Sequence, residues 1–108
     1  MDNEYIIVIT AAPLEDEARQ LAARLIEQRL AACVQAEKVE SIFHWQGAVE
    51  TADETRLMIK TCADLFSQVE KLIRAELSEE TPEIISIPIL QGSPDYLSWL
   101  ASETSDAQ

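Results

Sequence analysis

The stretch from Ala32 to Cys62 constrains the fold more strongly than any other part of the chain. It contains apolar, β-branched and aromatic residues on both sides of a single turn former, Gly47, and no proline interrupts it. This pattern predicts a β-hairpin that turns at Gln46-Gly47. Two arms of about a dozen residues span roughly 40 Å at ~3.4 Å per residue, which exceeds the width of a globule of this size. The surplus length must lie on another surface, and the simplest one is a second copy of the chain.

Composition and charge exclude several classes of protein. A chain of 108 residues is long enough for one domain, 1–108, and too short for a second. Its 20 acidic residues against 8 basic ones repel phosphate backbones and anionic lipids, so we expect neither nucleic-acid nor membrane partners. No apolar run approaches the ~18 residues of a membrane span. The start, Met1-Asp2-Asn3-Glu4, lacks the pattern of a signal peptide, and we expect a cytoplasmic protein.

Periodic patterns predict the elements on either side of the hairpin. Residues 5–10 form a continuous apolar run, which is typical of a central strand covered on both faces. Apolar residues at helical spacing predict helices over 14–29 and 63–77. A further apolar run predicts a strand over 84–90. Because proline cannot donate to a ladder, Pro88 indicates that this strand either lies at an edge or carries a bulge there.

Two further features concern the hairpin arm and the end of the chain. Glu37, Lys38 and Glu40 interrupt the apolar character of the outgoing arm, which predicts either a bulge or a solvent-exposed middle. Pro94 suits the first turn of a short C-terminal helix. Residues 101–108 are small and polar, and we expect a frayed tail beyond a domain core of about 5–100.

The predicted order is strand, helix, strand, strand, helix, strand and a terminal helix. Right-handed crossovers in each half give an α+β sandwich of the ferredoxin-like (split βαβ) class. This fold has a four-stranded antiparallel sheet with two main helices on one face. The short C-terminal helix is an addition to the fold. The second and fourth strands are then edges, and exposed edges favour pairing with other chains.

Five motifs occur in order along the chain: RLAACV at Arg29–Val34, FHWQG at Phe43–Gly47, IKT at Ile59–Thr61, PEI at Pro82–Ile84 and GSPDYLSWL at Gly92–Leu100. Together they resemble the CutA family. The resemblance covers residues 5–100. It implies a homotrimer built by the long hairpins, a likeness in fold and assembly to the PII signalling proteins, and an association with divalent-cation tolerance, copper included.

The first implication of the resemblance is a role in metal binding, and the residues of this chain can be compared with the ligands that such a role requires. Cys33 matches the family's cysteine, and a thiolate binds soft or borderline ions such as Cu or Zn. One thiol is not a complete site, so a threefold assembly must gather further ligands; the alternative is a buried structural cysteine. The His-Pro-Tyr of many members is absent, and Glu76, Glu79 and Glu80 lie in and beside that region instead. We therefore expect at most weak binding of a divalent metal, at Cys33 or at these carboxylates, and the alternative for the carboxylates is a solvated helix end.

A second hypothesis concerns a small ligand. Lys60 lies in an apolar strand and Glu83 follows Pro82, and both match residues of the family. We expect Lys60, Glu83, Tyr96 and Trp99 to line a cleft between subunits, beside Cys33, that binds a small ligand or an anion. The alternative is that a Lys60–Glu83 pair only fixes the register of the trimer and that the aromatic residues belong to the core.

Catalysis is not expected. No serine or cysteine has a recognisable base, because the only histidine is His44, which the pattern places on the surface of the hairpin. The sequence thus leaves two functional hypotheses. The first is a noncatalytic trimer that binds cations or a partner, and the second is a PII-like trimeric signalling module that binds a small effector.

Overall fold

The computed structural model describes residues 4–104 and contains one four-stranded antiparallel sheet in the order β2-β3-β1-β4. The elements, in chain order, are β1 (Tyr5–Ala12), α1 (Glu15–Glu27), β2 (Cys33–Trp45), β3 (Ala48–Cys62), a short 3-10 helix (Ala63–Leu65), α2 (Phe66–Glu76), β4 (Ile85–Ile89) and α3 (Pro94–Thr104). This order and topology confirm the predicted ferredoxin-like α+β fold. The edges are β2 and β4, as the sequence predicts, and β4 contains Pro88.

The main core lies between α1, α2 and one face of the sheet, which we call the helix face. Alternate residues of β1 and β3, such as Val8 and Ile59, are fully buried there and face each other across the two strands. The helices contribute fully buried residues from one stripe each, including Leu21 from α1 and Ile73 from α2. Full burial of such a side chain stabilises the fold by roughly 1.5–3 kcal/mol. The two crossover helices therefore cover only this face of the sheet.

The opposite face of the sheet, here the open face, is covered in part by α3. Cys62 and Lys60 of β3 point to this side, because they alternate with Ile59 and Thr61, which belong to the helix face. Thr104 at the end of α3 lies with its Oγ1 atom 3.4 Å from the Cys62 Sγ atom, and Leu100 is fully buried. The α3 helix thus packs near one end of β3 and leaves the rest of the open face uncovered in the single subunit.

The C-terminus of α1 is closed by a Schellman motif with a non-glycine residue in the left-handed conformation. Arg29 has a φ of 57°, and its N–H donates to the Ile26 carbonyl at 3.0 Å. The Leu30 N–H donates to the Leu25 carbonyl at 2.9 Å, which completes the pair of bonds that defines the motif. The Arg29 guanidinium donates to the Glu103 carbonyl at 2.9 Å. This one residue therefore ends α1 and joins it to the end of α3.

The β2-β3 hairpin is continuous from its base to its tip. Its register is unbroken from the pair Cys33 and Lys60 to the pair Trp45 and Ala48. Gln46 and Gly47 have φ values of 51° and 83°, the signs that a two-residue type I′ turn requires. Every residue in the range 42–51 is exposed. The predicted turn is confirmed, and so is the prediction that the tip half extends beyond the core.

One sequence-based alternative is decided by the structure, and one expectation is wrong. The solvent-exposed middle of β2 is confirmed, because Glu37, Lys38 and Glu40 are exposed. No bulge forms there, because Glu37 pairs directly with Arg56, and their side chains form an ion pair of 2.7 Å across the strands. Residues 101–104 are not frayed, because α3 continues to Thr104, whose side chain is buried. Residues 105–108 of the expected tail lie outside the described range. No helix within 4–104 is long and apolar enough to cross a membrane.

Candidate functional site

The structure brings together four of the residues singled out in the sequence, which we call the Lys60 cluster: Cys33, Lys60, Tyr96 and Trp99. Cys33 and Lys60 are direct cross-strand partners on the open face. The Lys60 Nζ atom lies 5.7 Å from the centroid of the Tyr96 ring, within the range of a cation–π contact. The Tyr96 and Trp99 ring centroids are 5.5 Å apart. The sequence places these residues on three elements, and the fold makes them neighbours.

The chemistry of the Lys60 cluster favours an anion over a metal ion. Lys60 is half-buried and forms no ion pair with any described side chain, so its ammonium group is free to attract a negative ligand. The same positive charge opposes a metal cation at the adjacent Cys33 thiol. Within residues 4–104, no three His, Cys, Asp or Glu side chains form a group that can hold a metal ion. A metal at Cys33 therefore requires ligands from another subunit.

Glu83 lies apart from the Lys60 cluster within one subunit. Lys60 is opposite Ile7 of β1, whereas Glu83 comes two residues before Ile85, which is opposite Ile9. The two charged residues are thus offset by four residues along the sheet, roughly 13 Å at 3.3 Å per residue. A Lys60–Glu83 pair is therefore possible only between subunits, as the predicted intersubunit cleft requires.

Glu83 instead lines a cavity of about 640 Å³ beside the hairpin, here the hairpin cavity. One wall is the hairpin, a second is the end of β1, and the third is the segment between α2 and β4. Buried Leu77 and Pro82 anchor that segment to the body of the protein. The ten lining residues are Ala11, Ser41, Phe43, Trp45, Glu50, Thr51, Glu54, Glu79, Thr81 and Glu83.

The hairpin cavity has a strongly negative lining. None of its four glutamates forms an ion pair with a described lysine or arginine. Partial burial raises the pKa of the Glu79 carboxyl, and the negative charges of Glu54, Glu17 and Glu83 raise this pKa further. The Ser41 hydroxyl donates to the Glu54 carboxylate at 2.5 Å and orients it. The cavity therefore has the electrostatic character of a cation site.

Comparison with known proteins establishes the family. The model of the CutA1 divalent ion tolerance protein family matches residues 6–103. The chain belongs to the CutA1 family. The divalent-cation tolerance protein CutA of Archaeoglobus fulgidus is 42% identical to it over 94 residues, which are 87% of this chain and 91% of that protein. The Thermus thermophilus protein of the same name is 38% identical over 102 residues, 94% and 98% of the two chains.

Solved CutA1 structures have the same fold. The crystal structure of CutA1 from Oryza sativa superposes with a TM-score of 0.92 at 34% identity and covers 95% of each chain. The CutA structure from Archaeoglobus fulgidus gives a TM-score of 0.91 at 35% identity, with 93% of this chain and 98% of that one covered. That archaeal protein is described as periplasmic. The cytoplasmic location expected for this CutA1 family member stays a prediction.

The sequence analysis did not predict the residues that line the hairpin cavity together with Glu83. The pattern of the hairpin, however, indicated one wall of this cavity. Phe43 and Trp45 alternate on one face of β2, and a two-residue turn at Gln46-Gly47 sets the register of the arms. That register places Glu50 opposite Phe43. The approach of Glu79 and Glu83 to this wall depends on tertiary packing, which the local pattern does not contain.

The carboxylate group expected at Glu76, Glu79 and Glu80 does not form. Glu76 of α2 forms an ion pair of 3.2 Å with Arg24 of α1, so the neighbouring helix compensates its charge. Glu79 instead lines the hairpin cavity together with Glu54 and Glu83. His44, the only histidine, is exposed at the hairpin tip, as predicted.

Proposed function

We propose that this CutA1 family member assembles as a homotrimer and acts in divalent-cation tolerance by binding cations or a partner, without catalysis. Membership of the family supports the role in tolerance, and the family's relatives from Archaeoglobus and Thermus have that role in their names. The single observation that most supports assembly is the hairpin, which extends beyond the body of its own subunit.

The exposed apolar surface explains why a neighbouring subunit is required. At the hairpin tip, Ile42 and Trp45 are 67% and 59% exposed. On the open face, Ile85 and Ile87 of the edge strand are also about half exposed. A surface of this kind next to two unpaired strand edges is typical of an interface between chains. Threefold neighbours that cover the tips and edges give these residues a buried environment.

The Lys60 cluster has a defined place in this proposal. Lys60, Tyr96 and Trp99 lie beside the uncovered part of the open face, so a neighbour that packs there forms a cleft with them. We assign an organic anion or another small anionic ligand to this cleft. Cys33 contributes to weak Cu or Zn binding only if the neighbour supplies further ligands, since one subunit offers a single thiol.

Light scattering and calorimetry test the proposal. We expect a particle of about three times the 12.1 kDa subunit mass. Isothermal titration with copper and zinc should give weak binding that Cys33→Ser reduces while the trimer mass is retained. Equal binding by wild type and Cys33→Ser would remove Cys33 from the metal role, and a folded single chain of 12.1 kDa would contradict the assembly.

A thermal-shift screen tests the ligand class. We expect small shifts with divalent metals or organic anions, and Lys60→Met should remove only the response to anions. A large shift with ATP and none with metals would favour the PII-like signalling role instead.

A further inference from the structure

We propose that Arg29 is a positioning residue, which fixes the C-terminal end of α3 and thereby holds Tyr96 and Trp99 in the Lys60 cluster. The inference deepens the proposed function and rests on it, because that function assigns an anion to this cluster. Arg29 follows α1 and is bonded to Glu103, so it acts on the cluster through the helix.

The backbone conformation of Arg29 is the first observation. Its φ of 57° lies in the left-handed region, where a residue with a Cβ atom is strained, and glycine is the usual residue at this position of a Schellman motif. Strain of this kind persists where other contacts offset it, and it is often found at functional positions. The contact that the Arg29 side chain makes is with the end of α3.

The C-terminus of α3 depends on Arg29 for its cap. The last carbonyls of a helix have no partner within the helix, and the Arg29 guanidinium donates to one of them, the Glu103 carbonyl, at 2.9 Å. The last turn of α3 contains no basic residue, and the helix dipole opposes the negative charge of Glu103 there. The Arg29 guanidinium lies 3.7 Å from the Glu103 carboxylate. One side chain from outside the helix therefore supplies both the donor and the positive charge that α3 lacks.

The other anchors of α3 also lie toward its C-terminal end. The buried residues of the helix are Leu100 and Thr104, and the Thr104 hydroxyl lies 3.4 Å from the Cys62 thiol. Tyr96 and Trp99, by contrast, are exposed. A helix of 11 residues has little stability on its own, so the direction of α3 depends on these few contacts.

The length of α3 converts a small tilt at its anchored end into a large displacement at the Lys60 cluster. Tyr96 and Thr104 are separated by about 12 Å along the helix axis, at ~1.5 Å per residue. A tilt of about 10° around the C-terminal end therefore moves Tyr96 by about 2 Å. The Lys60 Nζ atom is 5.7 Å from the centroid of the Tyr96 ring, already close to the ~6 Å limit of a cation–π contact. Loss of the Arg29 contact should thus separate the aromatic rings from the ammonium group.

Hydrogen–deuterium exchange tests whether Arg29 fixes α3. In Arg29→Gln the amides of residues 94–104 should exchange about fivefold faster than in wild type, because a hydrogen bond from a charged donor is lost. The matched control is Arg24→Gln, which removes the same charge and an ion pair of 3.2 Å between α1 and α2. It should leave the exchange of residues 94–104 unchanged.

Arg29→Gly separates backbone strain from side-chain contact. Glycine removes the strain at the end of α1 but also removes the contact with α3, so exchange in residues 94–104 should again be faster than in wild type. Equal or slower exchange would show that Arg29 only terminates α1, and would overturn the inference.

Fluorescence and ligand titration test the effect on the Lys60 cluster. In a Trp45→Phe background, Trp99 is the only tryptophan of the chain, and its emission should change in Arg29→Gln but not in Arg24→Gln. Benzoate serves as the anionic probe. Its affinity for Arg29→Gln should be about threefold lower than for wild type, because the aromatic rings no longer lie beside the ammonium group. Arg29→Lys, which retains a charged donor, should restore part of this affinity.

Two further outcomes would overturn the inference. Faster exchange with unchanged Trp99 emission and unchanged benzoate affinity would show that Arg29 stabilises α3 without affecting the cluster. Equal changes in Arg24→Gln would show a general loss of stability, and thermal melting of each variant checks folding. Failure of the proposed function gives a different result: no benzoate binding to wild type contradicts the anion assignment, while exchange and Trp99 emission still decide whether Arg29 positions α3.

Discussion

At the scale of single residues, the charges of this protein divide into compensated and uncompensated groups. Exposed pairs such as Arg19 and Glu15, 2.9 Å apart, contribute little, because solvent screens them. Glu79 differs, since partial burial and three neighbouring glutamates oppose its charged form. A carboxyl with this environment destabilises the fold whenever it is ionised.

Replacing Glu79 by glutamine should therefore increase the free energy of unfolding at pH 7, by less than about 1 kcal/mol because the group is partly exposed. The folded-state pKa of Glu79 is raised above its ordinary value of 4.5, so the folded protein binds more protons than the unfolded chain in this range. Wild-type stability should fall as the pH rises through and above 4.5, and Glu79→Gln should lose that part of the decline.

Urea unfolding between pH 4 and pH 7, on wild type and Glu79→Gln, measures this difference. Glu27→Gln, on the exposed surface of α1, is the matched control and should leave the slope unchanged. A wild-type slope retained in Glu79→Gln would place the proton uptake on another group.

At the scale of elements, the hairpin turn has the clearest conformational requirement. Gly47 has a φ of 83°, and a Cβ atom added there would meet no atom within 4 Å. Within the subunit, any cost of a side chain at this position is therefore a cost of backbone conformation, since no contact in the subunit opposes it. Gln46 is a non-glycine residue that already bears such a cost.

Gly47→Ala should destabilise the protein by about 1 kcal/mol, the cost of the left-handed conformation for a residue with a Cβ atom. Gln46→Asn should stabilise it slightly, because asparagine is favoured at the first position of a type I′ turn. Chemical denaturation at one fixed protein concentration measures both changes. Equal stability of the two variants would contradict the assigned turn type.

Local patterns were sufficient to predict the type and order of the elements and the turn of the hairpin. They failed where a distant residue decides the outcome. The charges of β2 left a bulge and a solvent-exposed middle as alternatives, and the exposed middle with a regular ladder is the outcome, because Arg56 on the facing strand compensates Glu37. The end of α3 resembled a frayed tail, but Thr104 packs against Cys62 and bonds to the Leu100 carbonyl at 3.1 Å.

The candidate sites show the same limit. Cys33 and Lys60 were predictable as neighbours, because they lie near the base of one hairpin whose turn sets their register. The hairpin cavity was not, because Glu79 and Glu83 approach Glu54 through a segment that is distant in sequence. Sequence patterns therefore predict contacts within a hairpin better than contacts between segments that are distant in sequence.

At the scale of the whole molecule, the subunit is elongated. Its dimensions are 46 × 25 × 21 Å and its radius of gyration is 14.6 Å, whereas a compact chain of this length has about 13 Å. The long dimension and the half-exposed isoleucines of β4 support the proposal that the stable unit is larger than one chain.

Ile87→Glu should disrupt assembly, because it places a charge on the open face where we expect a neighbour to pack. Ile26→Glu is the matched control: Ile26 on α1 is 43% exposed and Ile87 is 46% exposed, but Ile26 lies outside the proposed interface. We expect the mass measured by light scattering to fall toward 12.1 kDa for Ile87→Glu only. Circular dichroism confirms folding, and a full-mass Ile87→Glu particle would exclude this face from the interface.

The unbroken ladder of the hairpin also limits how its length can change during evolution. One residue added to each arm would send every side chain nearer the tip to the wrong side, so Phe43 and Trp45 would turn away from the glutamates that face them. Two residues added to each arm would preserve their orientation. Viable insertions and deletions within these arms should therefore obey a parity rule, with even numbers accepted and odd numbers eliminated.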